Sequence, residues 1–192
     1  AMYKMGWPMG FIEGARPLSL GQSMVGRAVT LRFVPVRPDL QIDKPKDDLS
    51  PEYIAIEKCG PEEVLVIDAM GWEYSSVGGD IKFFRLKQLG AAGLVTDGGV
   101  RDSQTLKNYG FPVYSASTTA KQGGVEFLPW RVNDEIQCGG VLVRPGDILI
   151  GDDDGVVVVP ASIAEEVVSR AQEHIKVEEF VKQKIDLERV FV

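Results

Sequence analysis

Two glycine-containing segments in the middle of the chain hold the residues whose types and spacing fit chemistry. The first reads Val77-Gly78-Gly79-Asp80 and lies between a predicted strand and a predicted helix. Glycine lets the backbone approach a ligand closely, and the first N–H groups of a helix are unpaired donors. Such a site favours a carboxylate or a phosphate. A flexible turn is the alternative interpretation of the two glycines alone.

The second segment, residues 96–102, ends in Arg101-Asp102 after Asp97-Gly98-Gly99. Arginine can clamp a carboxylate through two parallel hydrogen bonds. Aspartate supplies a hard oxygen ligand for Mg²⁺ or Mn²⁺. Together with an anion-binding loop, these groups would bind a 2-oxo acid and stabilise its enolate. The alternatives are structural: Asp80 and Asp102 as helix N-caps, Arg101 and Asp102 as a surface ion pair, and residues 97–99 as a tight turn.

Composition excludes several other kinds of catalysis. His174 is the single histidine and falls on the polar side of a predicted C-terminal helix, which rules out Ser-His-Asp and Cys-His catalysis and His-rich zinc motifs. Neither a Walker A loop nor a Gly-x-Gly-x-x-Gly fingerprint is present, which argues against a nucleotide cofactor. Cys59 and Cys138 have no metal-ligand spacing and are predicted to be free, buried thiols. The acidic run 152–154 predicts a hairpin turn, because it lacks the length and closing glutamate of an EF-hand loop.

Length and charge limit the class of protein. The 192 residues suffice for one domain with a sizeable core. The formal net charge of −7 argues against nucleic acid as the main partner, because a phosphate-binding surface needs a surplus of Lys and Arg. The apolar runs are shorter than the roughly 20 residues of a membrane helix, and the N-terminus lacks the apolar core of a signal peptide. We therefore expect a cytoplasmic protein that binds neither membranes nor nucleic acid.

The hydrophobic pattern predicts the elements that must position these residues. The middle third alternates strand and helix, which favours parallel strands joined by crossovers. The last third has three short β segments separated by turn sequences, and then a long amphipathic helix with a capping box at Ser162 and Glu165. Its predicted apolar stripe is Ala164, Val167, Val168, Ala171 and Ile175. The predicted strands cover residues 26–34, 63–69, 92–96, 112–116, 139–143, 147–151 and 156–160. The other predicted helices cover 80–89 and 103–109, and residues 52–58 are predicted as a short helix or a turn.

These elements predict a single α/β domain over residues 1–192, with a mixed sheet and peripheral helices. Three segments stand apart from its alternating core. Residues 1–25 form an irregular, Gly- and Pro-rich N-terminal segment, residues 35–51 a polar loop insertion, and residues 162–192 a C-terminal helical segment.

The spacing of three charged residues resembles a family signature. Asp80, twenty intervening residues and then Arg101-Asp102 resemble the D-x20-R-D signature of the RraA-like family. The surroundings are similar too, from about Gly26 to the C-terminal helix, and include GGD, GAAGLVTDGGVRDSQTL, FPVYSAS and CGGVLVRPGDILIGDDDGVVVVP. This family contains the class II 4-hydroxy-4-methyl-2-oxoglutarate / 4-carboxy-4-hydroxy-2-oxoadipate aldolases and the regulators of ribonuclease activity. The short N-terminal segment and the 35–51 insertion depart from the family pattern.

The resemblance implies a β/β/α swivelling-type fold and self-association as homotrimers or homohexamers, with sites at subunit interfaces. It implies that Asp102 is the direct metal ligand and that Arg101 is the catalytic partner of the carbonyl or enolate oxygen. Asp80 would also be catalytic, because it would orient water at the metal. The pyruvyl carboxylate would be held by the backbone of Val77, Gly78, Gly79 and Asp80.

The implied function is that of a lyase that requires Mg²⁺ or Mn²⁺. It would cleave a 4-hydroxy-2-oxo acid to pyruvate plus a second oxo acid, with oxaloacetate decarboxylation as a side activity. A glutamate near the C-terminus would reach a neighbouring subunit's site; Glu178 and Glu179 are the candidates, and a solvated helix face explains them as well. Two alternatives stay open: a non-catalytic regulator that binds a ribonuclease, and a lyase that acts on another oxo acid. Asp102 distinguishes the regulator from a lyase, because a pure regulator needs no metal ligand at this position.

Overall fold

The nearly continuous apolar run that follows Glu63 forms a strand buried on both faces. In the computed structural model, which describes residues 1–42 and 47–188, this strand lies at the centre of the main sheet. Four neighbouring strands run parallel: β2 (Met24–Pro35), β3 (Glu63–Asp68), β4 (Gly93–Val100) and β5 (Val113–Thr118). The crossovers between them carry α2 (Pro51–Glu57), α3 (Asp80–Leu89) and α4 (Ser103–Asn108). The predicted parallel core is therefore confirmed.

Antiparallel strands complete the sheet on both sides. They are β1 (Arg16–Pro17), β6 (Phe127–Val132), β9 (Ile148–Asp152) and β10 (Gly155–Val159). Within the described residues, the main sheet has eight strands in the order β1-β5-β4-β3-β2-β9-β10, and β6 pairs with β2 beside β9. A separate hairpin is formed by β7 (Ile136–Cys138) and β8 (Val141–Val143). The remaining helices are α1 (Pro38–Ile42) and α5 (Ala164–Glu188).

The side chains of β3 alternate between two cores, because successive residues of a strand point to opposite faces. Leu65 and Ile67 point to the helical side, where they share a cluster with Phe83, Leu86 and Leu106. Val64 and Val66 point to the other side, where they share a cluster with Ile136, Cys138 and Val143 of the hairpin. Hairpin, sheet and helices thus form three layers. This arrangement matches the mixed α/β fold expected from the sequence.

The helices that flank the candidate site form where the sequence predicts them. The bounds of α2, α3 and α4 agree with the predictions to within one residue. Gly90 ends α3 in the left-handed conformation, with φ 74°, as expected for a glycine C-cap. Cys59 and Cys138 are free and buried, as predicted.

Several sequence-based boundaries are wrong. The strand predicted to end at Thr96 continues as β4 through Asp97-Gly98-Gly99 to Val100, with a register shift against β5. The segment predicted as a loop over 35–51 contains the last residue of β2, the short helix α1 and a 3-10 turn at Asp47–Leu49, while residues 43–46 lie outside the described part. Strands β1, β6 and β7 were not predicted. The reason in β6 is Pro129, since proline is disfavoured within strands.

The C-terminal helix departs from its predicted packing. A 3-10 turn, Ala161–Ile163, leads into α5, and the Ala161 N–H donates to Asp147 Oδ1 at 3.1 Å. Asp147 therefore caps the start of the turn that leads into α5, in place of the predicted capping box at Ser162 and Glu165. Val167 of the predicted apolar stripe is buried, but Val168 and Ile175 are each 52% exposed. His174 is exposed on the same helix, as predicted. Among the described helices, none is long and apolar enough to cross a membrane.

Candidate active site

Two chain segments meet beyond the carboxyl ends of the parallel strands β3 and β4. One is the loop that leads into α3, and the other connects β4 to α4. Backbone hydrogen bonds join them: the Val77 N–H donates to Gly99 O at 2.9 Å, and the Arg101 N–H donates to Gly78 O at 3.1 Å. The sheet register thereby places Gly79 and Asp80 directly beside Arg101 and Asp102. The two segments that the sequence singled out form one site.

Asp102 joins the starts of two helices. It is the N-cap residue of α4, yet its side chain makes no capping bond to that helix. Its Oδ2 instead accepts a hydrogen bond from the Asp80 N–H, the first residue of α3, at 3.0 Å, and lies 3.4 Å from Arg101 Nε. Its backbone is left-handed, with φ 55° and ψ 32°. Asp102 therefore occupies the N-cap position of α4, as the structural alternative expected, but its carboxylate caps α3 instead.

Gly79 is required by the close approach of these side chains. Its φ of −156° is ordinary extended backbone, so the requirement is steric rather than conformational. A Cβ at this position would overlap Asp102 Oδ2 and the side chain of Arg101. The glycine therefore makes room for the charged pair.

The backbone donors of residues 77–80 are mostly engaged within the chain. Val77 donates to Gly99 O, Gly78 to Ser76 Oγ at 3.2 Å, and Asp80 to Asp102 Oδ2. In this run the N–H of Gly79 is the one for which the structure shows no acceptor. Of the expected four-residue cradle for a carboxylate, one backbone donor is therefore left without an acceptor in the chain.

The Asp80 side chain has a partner that the sequence did not suggest. The hydroxyl of Tyr109 donates a short hydrogen bond to Asp80 Oδ1. This bond and the nearby carboxylate charge raise the pKa of Tyr109 to about 12. No local pattern identifies the contact, because it depends on how α3 and α4 lie against each other.

An open cavity of about 790 Å³ lies over these residues. Asp80, Arg101 and Asp102 form one part of its lining. The remainder is mostly uncharged and polar, and includes Ser103, Gln104, Thr105, Thr118 and Thr119. The cavity is large enough for a small organic acid.

A second group of polar residues supports the loop before α3. Asp97, buried within β4, accepts hydrogen bonds from the Ala69 N–H at 2.7 Å, the Gly71 N–H at 3.0 Å and Gln137 Nε2 at 2.7 Å. Burial raises the pKa of Asp97, and the neighbouring Asp68 charge adds to this effect. The carboxylate thus fixes a turn with positive φ at Gly71 (70°). Asp97 acts as a support of the site rather than as a member of it.

The carboxylates of Asp80 and Asp102 are the site's candidates for holding a cation. Both are oxygen ligands of the kind that Mg²⁺ and Mn²⁺ prefer, and Mg²⁺ usually binds through one or two carboxylates, water and substrate oxygens. Within residues 1–42 and 47–188, no group of three or more His, Cys, Asp and Glu side chains is placed to hold a metal. The site therefore fits a hard cation that retains open positions, and not a closed zinc cage.

Comparison with known proteins agrees with the signature. Residues 1–158 match the family model for RraA-like proteins, described as Aldolase/RraA. The chain belongs to the RraA-like family. A Halalkalibacterium halodurans protein described as "Putative 4-hydroxy-4-methyl-2-oxoglutarate aldolase" is 39% identical over 121 residues, which make up 62% of this chain and 56% of that protein. The match thus spans little more than half of that relative's length.

Solved structures show the same RraA-like fold. The crystal structure of Streptomyces coelicolor RraAS2, an unusual member of the RNase ES inhibitor RraA protein family, has a TM-score of 0.83 and 34% sequence identity, covering 94% of this chain and 87% of that one. The RNA-processing inhibitor RraA from Thermus thermophilis has a TM-score of 0.59 at 24% identity, over 77% of this chain and 82% of its own. The second likeness concerns the fold alone.

This RraA-like chain brings most of the predicted site together. Gly79, Asp80, Arg101 and Asp102 meet at one end of the sheet. Glu178 and Glu179 do not, because they lie exposed on α5 and are not among the residues that line the cavity. Their expected contribution to a neighbouring subunit stays a prediction.

Proposed function

We propose that this protein is a divalent-metal-dependent lyase that cleaves a 4-hydroxy-2-oxo acid to pyruvate and a second oxo acid. The observation that carries the proposal is the junction of Asp80, Arg101 and Asp102 on the wall of an open cavity, where Asp102 accepts a hydrogen bond from Asp80 and pairs with Arg101. A guanidinium and two carboxylates that line the same cavity support the binding of one small anionic ligand together with a cation. The name of the Halalkalibacterium halodurans relative supports the same reaction class.

The proposed reaction breaks the bond between C3 and C4 of the substrate. The 4-hydroxyl loses its proton, C4 becomes the carbonyl carbon of the second product, and the electron pair of the broken bond enters the enolate of pyruvate. A proton added to C3 then gives the methyl group of pyruvate. The enzyme must therefore stabilise an enolate oxygen and guide two proton transfers.

The side chains of the site divide these tasks. Arg101 donates hydrogen bonds to the carboxylate or to the oxygen on C2, where negative charge develops. Gly79 N–H adds a donor for the carboxylate, and Asp80 orients the water that accepts or returns a proton. Mg²⁺ or Mn²⁺, held by Asp102 with Asp80 beside it, would supply positive charge to polarise the 2-oxo group.

Oxaloacetate decarboxylation is a proposed side activity. Loss of CO₂ from oxaloacetate leaves the same pyruvate enolate, so the same charges would stabilise it. This reaction needs no group beyond those proposed for the aldol cleavage.

The second candidate function is ribonuclease regulation by contact. It is favoured by the 34% identity to Streptomyces coelicolor RraAS2, a member of an RNase inhibitor family. Such a regulator needs no carboxylate joined to an arginine inside a cavity. Asp102 therefore separates the two candidates, as the sequence suggests.

Self-association is part of the proposal. Val177 and Phe180 of α5 are 56% and 59% exposed, so the helix carries apolar surface that the described chain does not cover. A trimer or hexamer would bury such a face. Glu178 and Glu179 lie on the same stretch and would be carried towards a neighbour's site.

The test is a pyruvate-release assay over 4-hydroxy-2-oxo acids and oxaloacetate, with chelator and with added Mg²⁺ or Mn²⁺. We expect activity that chelator abolishes and either cation restores. Arg101→Lys keeps the charge but loses the planar fork, so kcat/KM should fall at least tenfold, about 1.4 kcal/mol. Full activity in chelator, or a lysine variant within threefold of wild type, would contradict the proposal.

A further inference from the structure

We infer that Tyr109 is a positioning residue of the site, which holds one carboxylate oxygen of Asp80 so that the other remains available to the cavity. The inference rests on the proposed lyase function and adds to it a residue that lies outside the D-x20-R-D signature. Tyr109 does not line the cavity, so its effect must pass through Asp80.

The first support is the geometry of the tyrosine. Its hydroxyl donates to Asp80 Oδ1 from the C-terminal end of α4, while Asp80 stands at the first residue of α3. The ring is fixed by Phe84, with centroids 5.5 Å apart, and by Lys87 Nζ, 5.1 Å from the ring centroid. Both contacts come from α3, the helix that begins at Asp80, so the packing of the ring against α3 directs the hydroxyl towards Asp80.

The second support is that Asp80 is held at two points. Its backbone N–H donates to Asp102 Oδ2, and its Oδ1 accepts from Tyr109. The backbone bond alone would leave the partly exposed carboxylate free to rotate about its side-chain torsions. The phenol bond removes that freedom, so the Oδ2 of Asp80 has a defined position relative to Arg101 and Asp102. Displacing a catalytic group by about 1 Å can cost 100-fold in rate.

The experiment isolates proton transfer from cleavage. The methyl protons of pyruvate exchange with deuterium in D₂O when an enzyme forms the enolate, and NMR measures that rate without any second product. Tyr109→Phe keeps the ring and its contacts but removes the donor. With Mg²⁺ present, we expect it to lower the exchange rate and kcat by roughly 10- to 100-fold. KM and the Kd of oxalate, an enolate mimic, should stay within about twofold, because Asp80 is not a ligand for the carboxylate.

The matched control is Tyr114→Phe. Tyr114 lies in β5, and its buried hydroxyl has no hydrogen-bond partner in the described structure. Losing that hydroxyl should leave exchange and kcat unchanged. Urea unfolding of both variants checks that neither loses its fold.

A double-mutant cycle with Asp80→Asn tests whether Tyr109 acts through Asp80. If Tyr109 acts through Asp80, adding Tyr109→Phe to Asp80→Asn should cause little further loss. The inference is overturned if Tyr109→Phe lowers the exchange rate by the same factor in the wild-type and Asp80→Asn proteins. It is also overturned if the Tyr109→Phe enzyme exchanges at the wild-type rate, or if it loses oxalate affinity while keeping kcat. A wild-type protein that neither exchanges nor releases pyruvate overturns the lyase function itself, and the positioning role falls with it.

Discussion

The carboxylate of Asp102 accepts a hydrogen bond from the backbone N–H of Asp80, with Oδ2 and N 3.0 Å apart. One side chain thereby fixes the start of α3 and remains the leading candidate for holding a cation. Folding and chemistry are linked at this carboxylate, so a single substitution changes both. Two variants can separate them.

Asp102→Asn and Asp102→Ala should differ in stability but not in activity. Asparagine keeps an oxygen that can cap α3 and tolerates left-handed backbone, whereas alanine does neither. We expect Asp102→Ala to be about 1 kcal/mol less stable than Asp102→Asn in urea unfolding. Both should lose pyruvate release and Mn²⁺ binding, measured by electron paramagnetic resonance. An asparagine variant with wild-type Mn²⁺ affinity would place the cation elsewhere.

Gly79→Ala should weaken binding of oxalate. The added Cβ overlaps Asp102 Oδ2 and the Arg101 side chain, so the pair must move apart. We expect the oxalate Kd to rise by roughly 10-fold or more, since a contact to a charged ligand contributes about 1–3 kcal/mol. The control is Gly124→Ala, because no atom lies within 4 Å of a Cβ there. Equal oxalate affinities in the two variants would show that the close packing at Gly79 has no bearing on the ligand.

Asp97→Asn should destabilise the loop before α3. The amide has one acceptor oxygen, so it cannot satisfy all the donors that surround the carboxylate. We expect the free energy of unfolding to fall by about 1–3 kcal/mol, measured by urea unfolding.

The stability that Asp97 contributes should depend on pH. Burial raises the pKa of Asp97, so the folded state holds the proton of this carboxyl group more tightly than the unfolded chain does. The resulting stability is present below about pH 4 and is lost as pH rises through the raised value. The advantage of wild type over Asp97→Asn should therefore shrink as pH rises through this window. An advantage that grows instead would mean a lowered pKa.

Phe180→Asp should disrupt assembly. Phe180 is 59% exposed on α5, and a carboxylate there would be costly in an apolar interface. Light scattering should report a trimer or hexamer for wild type and smaller species for this variant, with reduced activity. Gln172→Asp, at an exposed polar position of the same helix, should leave the assembly intact. A wild-type monomer with full activity would rule out a site shared between subunits.

Local patterns predicted the elements that carry the site because each has a local cause. The apolar run of β3 and the glycine after α3 determine where these elements form, and the Asp80-to-Asp102 spacing follows from one helix and one strand between them. The three charged residues meet because adjacent parallel strands end at the same edge of the sheet. Sequence was sufficient at this level.

Contacts between elements were not predictable in the same way. Aspartate is disfavoured in strands, so Asp97 suggested a turn; hydrogen bonds from residues 69 and 71 and from Gln137 keep it inside β4 instead. Tyr109 looked like the end of a short helix, and its bond to Asp80 depends on the packing of α4 against α3. The backbone cradle expected for a carboxylate depends on such contacts too, because the N–H groups of residues 77, 78 and 80 have acceptors within the fold.

The left-handed backbone of Asp102, with φ 55°, bears on attempts to make this protein more heat-resistant. Such a conformation costs most residues other than glycine roughly 1 kcal/mol or more, and aspartate and asparagine are among those that tolerate it best. Asparagine would remove a negative charge from beside Asp80, which offsets the loss of the exposed ion pair with Arg101. A random library screened for survival at high temperature alone should therefore retain Asp102→Asn while it discards most other substitutions at this position. The survivors would be well-folded and catalytically dead, so thermostability selection on this scaffold must hold position 102 constant or screen for turnover in the same step.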